Sequence, residues 1–98
     1  MADIHRKEAI AGKAFRLPED GEPSDEVVSL WHDFAEGLDW YSDYDCGIAI
    51  HTGNPEDDAL RVDPGDWVVR LDAGGVNVYT SLYFDAHIRE RLTGDILP

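Results

Sequence analysis

Residues 60–84 carry the pattern that most constrains the fold of this chain, because they alternate apolar runs with short turns. Residues 63–66 are Asp-Pro-Gly-Asp, in which proline presets φ, glycine permits a positive φ and the aspartates can bond local amides. Residues 67–71 are aromatic and β-branched, as a pleated surface prefers. After a glycine turn at 73–75, residues 76–80 alternate apolar with polar side chains. The pattern predicts three strands joined by two tight turns.

A helix is predicted over residues 24–37. Ser24 is a good N-cap residue, and two carboxylates follow it in the first turn, where they suit the helix dipole. Gly37 is suited to end the helix. Six apolar residues recur at helical spacing and form one stripe: Val27, Leu30, Trp31, Phe34, Ala35 and Leu38. We expect Trp31 and Phe34 to be buried against a sheet.

The remaining segments complete an α+β fold class. We predict a first strand at 8–16, a loop with at most one short strand at 38–46, a strand at 47–52 and a C-terminal helix at 82–92. Ser81 is expected to cap that last helix and Gly94 to end it, and its apolar residues are Leu82, Phe84, Ile88 and Leu92. Because the turns are too short for crossovers, the expected domain, over residues 1–98, has a small, mostly antiparallel sheet.

Composition excludes several functional classes. The 98 residues include 21 acids and 8 bases, for a formal charge of -13, so binding to nucleic-acid phosphates or to anionic membranes is not expected. Cys46 stands alone, which rules out an intrachain disulfide. Residues 1–9 are charged and lack the apolar run of a signal peptide, and no stretch approaches a membrane span. We therefore expect a cytoplasmic protein.

The C-terminal pattern resembles that of small uncharacterised bacteriophage proteins. Such proteins end in a strand, a Gly-Asp-Trp turn-strand, a Tyr-containing strand and a helix with Phe near its start. The matching positions here are Val62, residues 65–69, Gly74-Gly75, Val78-Tyr79 and Phe84. Residues 39–58 depart from that pattern. The resemblance implies a phage or prophage origin, hence a host-cell cytoplasm, and a small sheet domain, and it implies no activity.

The acidic residues are concentrated in the middle of the chain. Between Glu19 and Asp66 there are fifteen acids, and the only Lys or Arg is Arg61. This distribution favours a surface that docks on a basic groove of another protein, such as one built for nucleic acid. A surface that serves solubility, or a halophilic source, would produce the same composition.

Aromatic residues among these acids are candidates for interface anchors, because aromatics with flanking charge are typical of binding surfaces. An alternative is that Trp40 and Tyr41 only close the core below the first helix. The predicted partner-binding residues are Asp39, Trp40, Tyr41, Asp43, Tyr44, Asp45, Glu56, Asp57 and Asp58. The expected partner is a host protein with a basic surface, which the chain would inhibit or redirect, as a nucleic-acid mimic acting against defence or transcription machinery would.

Other chemistries lack the spacing that they need. Asp39, Asp43 and Asp45 offer oxygen ligands for Ca²⁺ without the spacing of a twelve-residue calcium loop. The four histidines are scattered, and Cys46 has no base beside it in the sequence. We predict a non-enzymatic protein without a cofactor. A virion structural or assembly module and a small metal-dependent or carboxylate enzyme are the alternatives.

Overall fold

The computed structural model describes residues 8–19, 24–42, 47–51 and 59–97. Its strands are β1 (Gly12–Arg16), β2 (Asp39–Ser42), β3 (Ile48–His51), β4 (Leu60–Val62), β5 (Trp67–Leu71), β6 (Val76–Tyr79) and β7 (Ile96–Leu97). Helix α1 (Asp25–Phe34) lies between β1 and β2. A C-terminal helical segment follows β6 and consists of a single α-turn α2 (Ser81–Tyr83), a π-helix (Phe84–Ile88) and a 3₁₀ turn (Arg89–Arg91). The predicted α+β class is confirmed.

The strands form two sheets where one was expected. The four-stranded sheet has the order β6-β5-β1-β7, and the three-stranded sheet has the order β2-β3-β4. All neighbours pair antiparallel except β1 and β7, which are parallel. The mostly antiparallel arrangement is therefore confirmed. Residues 96–97, which lie beyond the last predicted element, supply the parallel edge strand.

The four-stranded sheet is covered on both faces because its strands alternate two sets of apolar side chains. Phe15 and its partner Val68 project to one face, where they join Trp31 and Phe34 of α1 and the inner residues of the three-stranded sheet. The neighbouring pair, Ala14 and Val69, projects to the opposite face and packs with the C-terminal helical segment. The sheet thus separates two apolar clusters. The predicted burial of Trp31 and Phe34 is confirmed.

Helix α1 begins as the sequence predicts. The Ser24 hydroxyl accepts a hydrogen bond from the Val27 amide at 3.3 Å, which satisfies one of the amide groups left unpaired at a helix start. The helix ends at Phe34, three residues before the predicted boundary. Gly37 lies in the following turn with φ of +85°, a conformation that glycine adopts without steric cost.

The first and last elements differ from their predicted bounds. Strand β1 begins at Gly12, and of the described residues before it Ile10 forms an isolated bridge with Leu92. Thr80, with extended backbone angles, caps the C-terminal helical segment through a bond from the Tyr83 amide, so the prediction of Ser81 as the cap is wrong. The segment ends at Arg91, well before Gly94.

Leu82 is an apolar residue on the outer side of the C-terminal helical segment, since 84% of its surface is exposed. Leu82 and Phe84 are about 200° apart around a helix of 3.6 residues per turn, so they cannot face the same sheet. Phe84 occupies the inner side because its ring stacks on Trp67 with centroids 4.1 Å apart. Ile88 follows on the same side and is also buried.

Candidate functional site

The predicted binding residues fall into two groups. Asp43, Tyr44, Asp45, Glu56, Asp57 and Asp58 lie outside the described residues. The other three are consecutive on β2, an edge strand that pairs only with β3 among the described strands. Because side chains alternate along a strand, Asp39 and Tyr41 project to one face of the sheet and Trp40 to the other.

Trp40 packs into the core. Its ring meets Trp31 of α1 edge to face, with centroids 5.4 Å apart, and His32 at 5.5 Å. This is the arrangement in which Trp40 closes the core below the first helix, one of the two interpretations that the sequence left open. Its role as a partner anchor stays a prediction, and a partner would reach only the part of the ring that remains outside the core.

Tyr41 lies on the outer face of the three-stranded sheet and is 48% exposed. Its ring contacts that of His51 on β3, with centroids 5.3 Å apart. His51 is the Cα partner of Asp39 across the β2–β3 pair. Sequence reasoning missed His51, although a strand assignment to 39–42 with an antiparallel neighbour would have placed it beside Asp39.

Exposed carboxylates lie on α1, in the turn that follows it and on the side of β2 that points away from α1; we call this set the acidic face. Its members are Asp25, Glu26, Asp33, Glu36 and Asp39, all exposed. Within the described part of the chain, no Lys or Arg side chain forms an ion pair with any of them. The acidic face therefore presents its charge to solvent without an ion pair to those residues.

The two ends of the acidic face differ in what they do for the helix. Asp25 and Glu26 lie in the first turn of α1, where carboxylates stabilise the helix dipole. Asp33 lies in the last turn and Glu36 just beyond it, where the same dipole disfavours negative charge by about 0.3–1 kcal/mol. The folding of α1 gives no reason for acids at that end.

Each described Lys and Arg side chain makes a contact within the fold that does not involve a carboxylate of the acidic face. Three of them pair with carboxylates outside the acidic face: Arg16 with Glu19, Arg61 with Asp63 and Arg89 with Asp85, each at 2.8–2.9 Å. The other three contact a ring or the backbone: Lys13 lies over the Phe34 ring, Arg70 donates to the Phe34 carbonyl and Arg91 donates to the Glu8 carbonyl. The described basic side chains thus form their contacts within the fold.

A second exposed surface, which the sequence reasoning missed, lies on the C-terminal helical segment. The rings of Tyr79 and Tyr83 stack at 5.4 Å and 10°, and His87 follows Tyr83 at 4.7 Å; we call these three residues the aromatic ladder. Tyr83 is 49% exposed, and Leu82 lies beside it. The spacing of four residues between Tyr83 and His87 was the available signal, since such residues share one helix face, whereas Tyr79 precedes the helix at the end of β6.

The described residues offer little for metal or membrane chemistry. No three His, Cys, Asp or Glu side chains among them come together as a metal site. Cys46 and two of the aspartates considered for calcium, Asp43 and Asp45, lie outside the described ranges. No helix in those ranges is long and apolar enough to cross a membrane.

Comparison with protein-family models, with curated proteins and with solved structures finds no match to this chain.

Proposed function

We propose that this chain is a non-enzymatic binding module that docks its acidic face on a basic surface of another protein. Docking would occlude that surface and so inhibit or redirect the partner. The sequence resemblance favours a more specific proposal, in which the chain is a phage or prophage accessory protein and the partner is a host factor. A host factor that handles nucleic acid would present such a basic groove, and the acidic face would imitate the charge of the nucleic acid.

The observation that carries this proposal is the position of Asp33 and Glu36. Both are exposed at the C-terminal end of α1, where they oppose the helix dipole and have no basic partner among the described side chains. Asp39 continues the same charge onto β2. Negative charge that costs the fold a little stability is most simply explained by a use outside the fold.

Exposed charges of this kind mainly affect the association rate. Complementary charge steers diffusing proteins together and raises the association rate, whereas the dissociation rate depends on buried anchors. Exposed charges are screened over about 10 Å at 0.1 M salt. Binding through the acidic face should therefore weaken as the salt concentration rises.

Site-specific photo-crosslinking tests the location of the interface. Ser29 is exposed on α1, one turn from both Asp25 and Asp33, and a benzophenone amino acid there should crosslink the partner in lysate of the producing cell. The matched probe is at Asn77, which is exposed on β6. The proposal expects capture from Ser29 onto a Lys- and Arg-rich surface. Capture from Asn77 alone, or onto an acidic surface, would overturn it.

The aromatic ladder favours a second candidate function, that of a structural or assembly module. The helical segment 81–91 contains two acids and two bases, so its formal charge is balanced where the whole chain carries -13. It also exposes Leu82 and Tyr83. A charge-balanced apolar surface is where copies of an acidic protein, or a neighbouring virion protein, would meet with least repulsion.

Sedimentation analysis separates the two candidates. An assembly module should associate with itself as its concentration rises, and Leu82→Asp should abolish that association. A module that binds through its acidic face should sediment as a monomer. In that case Leu82→Asp should not change which partner is captured by crosslinking.

A further inference from the structure

The outer face of the three-stranded sheet brings a carboxylate, a phenol ring and an imidazole to one corner. Asp39 and Tyr41 are two residues apart on β2, so their side chains leave the same face about 7 Å apart along the strand. His51 lies directly across from Asp39, and opposed residues in an antiparallel pair have Cβ atoms about 5 Å apart. The Tyr41 and His51 rings meet at 5.3 Å and 34°.

This corner is open and has no described counter-charge. All three side chains are exposed. Asp39 makes no ion pair or hydrogen bond through its side chain with the described residues. Arg61 projects to the same face from β4, where it is the Cα partner of Ala49, and its guanidinium forms an ion pair with Asp63 at 2.8 Å. A carboxylate beside two ring systems is thus presented to a partner.

We propose that Asp39, Tyr41 and His51 form a binding site for an arginine side chain of the partner protein. The proposal rests on the proposed function, because it names the group with which a basic partner would engage the end of the acidic face. A guanidinium is planar and its paired N–H groups match the two oxygens of a carboxylate. The same plane stacks on aromatic faces, which Tyr41 and His51 supply next to Asp39.

Other ligand classes fit this corner less well. Anionic groups are opposed by Asp39 and by the formal charge of -13. A lysine ammonium would satisfy the carboxylate, but it is compact and strongly hydrated and gains less from the rings. The site should therefore distinguish arginine from lysine at equal charge.

Isothermal titration of the full chain with nona-arginine and nona-lysine peptides tests this distinction. The peptides carry equal charge and length, so a purely electrostatic surface binds them with similar affinity. We expect the arginine peptide to bind about five-fold more tightly, the contribution of an exposed cation–π contact. Tyr41→Leu should bring the ratio of the two affinities close to one, and Tyr41→Phe should preserve it.

The control variant is Tyr83→Leu, which removes an equally exposed tyrosine from the aromatic ladder and should keep the ratio. Circular dichroism checks that each variant folds. As a second measurement, the His51 imidazole proton resonances of the wild-type chain should shift with nona-arginine and much less with nona-lysine.

The outcomes separate the arginine site from the proposed function. A ratio unchanged by Tyr41→Leu, or an absent His51 shift, overturns the arginine site. If binding of both peptides still weakens with salt and is reduced in the Asp33→Asn, Glu36→Gln double variant, the acidic face stands without that site. If neither peptide binds the wild-type chain, both proposals fail.

Discussion

At the scale of single residues, Arg70 shows how one side chain joins the two halves of the fold. It lies on β5, yet its Nη1 donates to the carbonyl of Phe34 at 2.8 Å. That carbonyl belongs to the last residue of α1, where oxygen atoms lack partners within the helix. The positive guanidinium at this end also interacts favourably with the negative pole of the helix dipole. Arg70 therefore offsets part of the cost of Asp33 and Glu36.

Replacing this arginine should destabilise the fold. Arg70→Met keeps the apolar stem and removes the charged hydrogen bond, so the free energy of unfolding should fall by about 1.5–3 kcal/mol. The matched control is Arg91→Met, which removes a similar bond to the Glu8 carbonyl in an exposed setting and should cost about 1 kcal/mol or less. Urea unfolding measures both. Equal losses would show that Arg70 does not stabilise the end of α1.

Gly65 is a second residue at which the backbone conformation restricts the choice of side chain. Its φ is +90°, its amide donates to Leu17 at 2.8 Å, and a Cβ atom would lie 3.0 Å from Cγ of Glu19. The positive φ that the Pro-Gly turn predicts is confirmed. Asp66 supports the same turn by accepting from the Asp63 amide at 3.1 Å.

Gly65→Val should lower the free energy of unfolding by about 1–3 kcal/mol, since a β-branched residue is strained at positive φ. Gly74 has a similar φ of +105° with no atom within 4 Å of its Cβ position. Gly74→Val should therefore share the backbone strain without the contact at Glu19. Thermal melts that rank Gly74→Val as the more destabilising change would contradict this assignment of the turn.

At the scale of elements, local signals and long-range packing account for different parts of the fold. Helix α1 was predictable because its cap and apolar stripe lie within a dozen residues. The hairpin of β5 and β6 was predictable from its glycine turn, which takes positive φ at Gly74 and Gly75. Both rest on interactions between neighbours in the sequence.

The C-terminal helical segment was not predictable in the same way, because its register depends on distant residues. Phe84 stacks on Trp67, seventeen residues earlier, and Arg89 lies over both rings at 5.1 and 5.2 Å. These contacts select the side that faces the sheet, and the wider π turn carries Ile88 to the same side. Locally, only the spacing of four residues between Phe84 and Ile88 indicates that side.

The same limit applies to the candidate site. The acidic composition around α1 was visible in the sequence, but the direction of each β2 side chain required knowing that 39–42 is a strand paired with β3. Once that pairing is known, the two-residue period turns Trp40 inward and Asp39 and Tyr41 outward. The separation of the strands into two sheets likewise depends on contacts between distant segments.

The exposed position of Leu82 gives a test of this register. Leu82→Ser should change the free energy of unfolding by no more than about 0.5 kcal/mol, as expected for an exposed site. Ile88→Ser, on the buried side of the same segment, should cost about 2–5 kcal/mol, because it removes apolar contacts and buries a hydroxyl. Chemical denaturation of both variants distinguishes them. A larger loss for Leu82 than for Ile88 would contradict this register.

At the scale of the whole molecule, charge and apolar surface are separated. The four-stranded sheet has α1 and the three-stranded sheet on one side and the C-terminal helical segment on the other. The acidic face belongs to the first side, and the charge-balanced aromatic ladder belongs to the second. This separation allows charge at one surface to be changed without touching the other.

Neutralising Asp33 and Glu36 should therefore affect binding and stability in opposite directions. The Asp33→Asn, Glu36→Gln variant removes two charges that oppose the helix dipole, so its stability should stay equal or rise by a few tenths of a kcal/mol. The matched control, Asp72→Asn with Asp95→Asn, changes the net charge equally at two exposed residues away from α1.

Binding through the acidic face is tested by surface plasmon resonance with the partner that crosslinking identifies. The association rate is measured from about 0.1 to about 1 M salt, a range in which the Debye length falls from about 10 Å to about 3 Å. Wild-type association should slow as the salt concentration rises. The Asp33→Asn, Glu36→Gln variant should associate more slowly at low salt with a flatter dependence, whereas the Asp72→Asn, Asp95→Asn control should stay close to wild type. Equal association rates for all three proteins at every salt concentration would contradict the claim that the acidic face binds the partner.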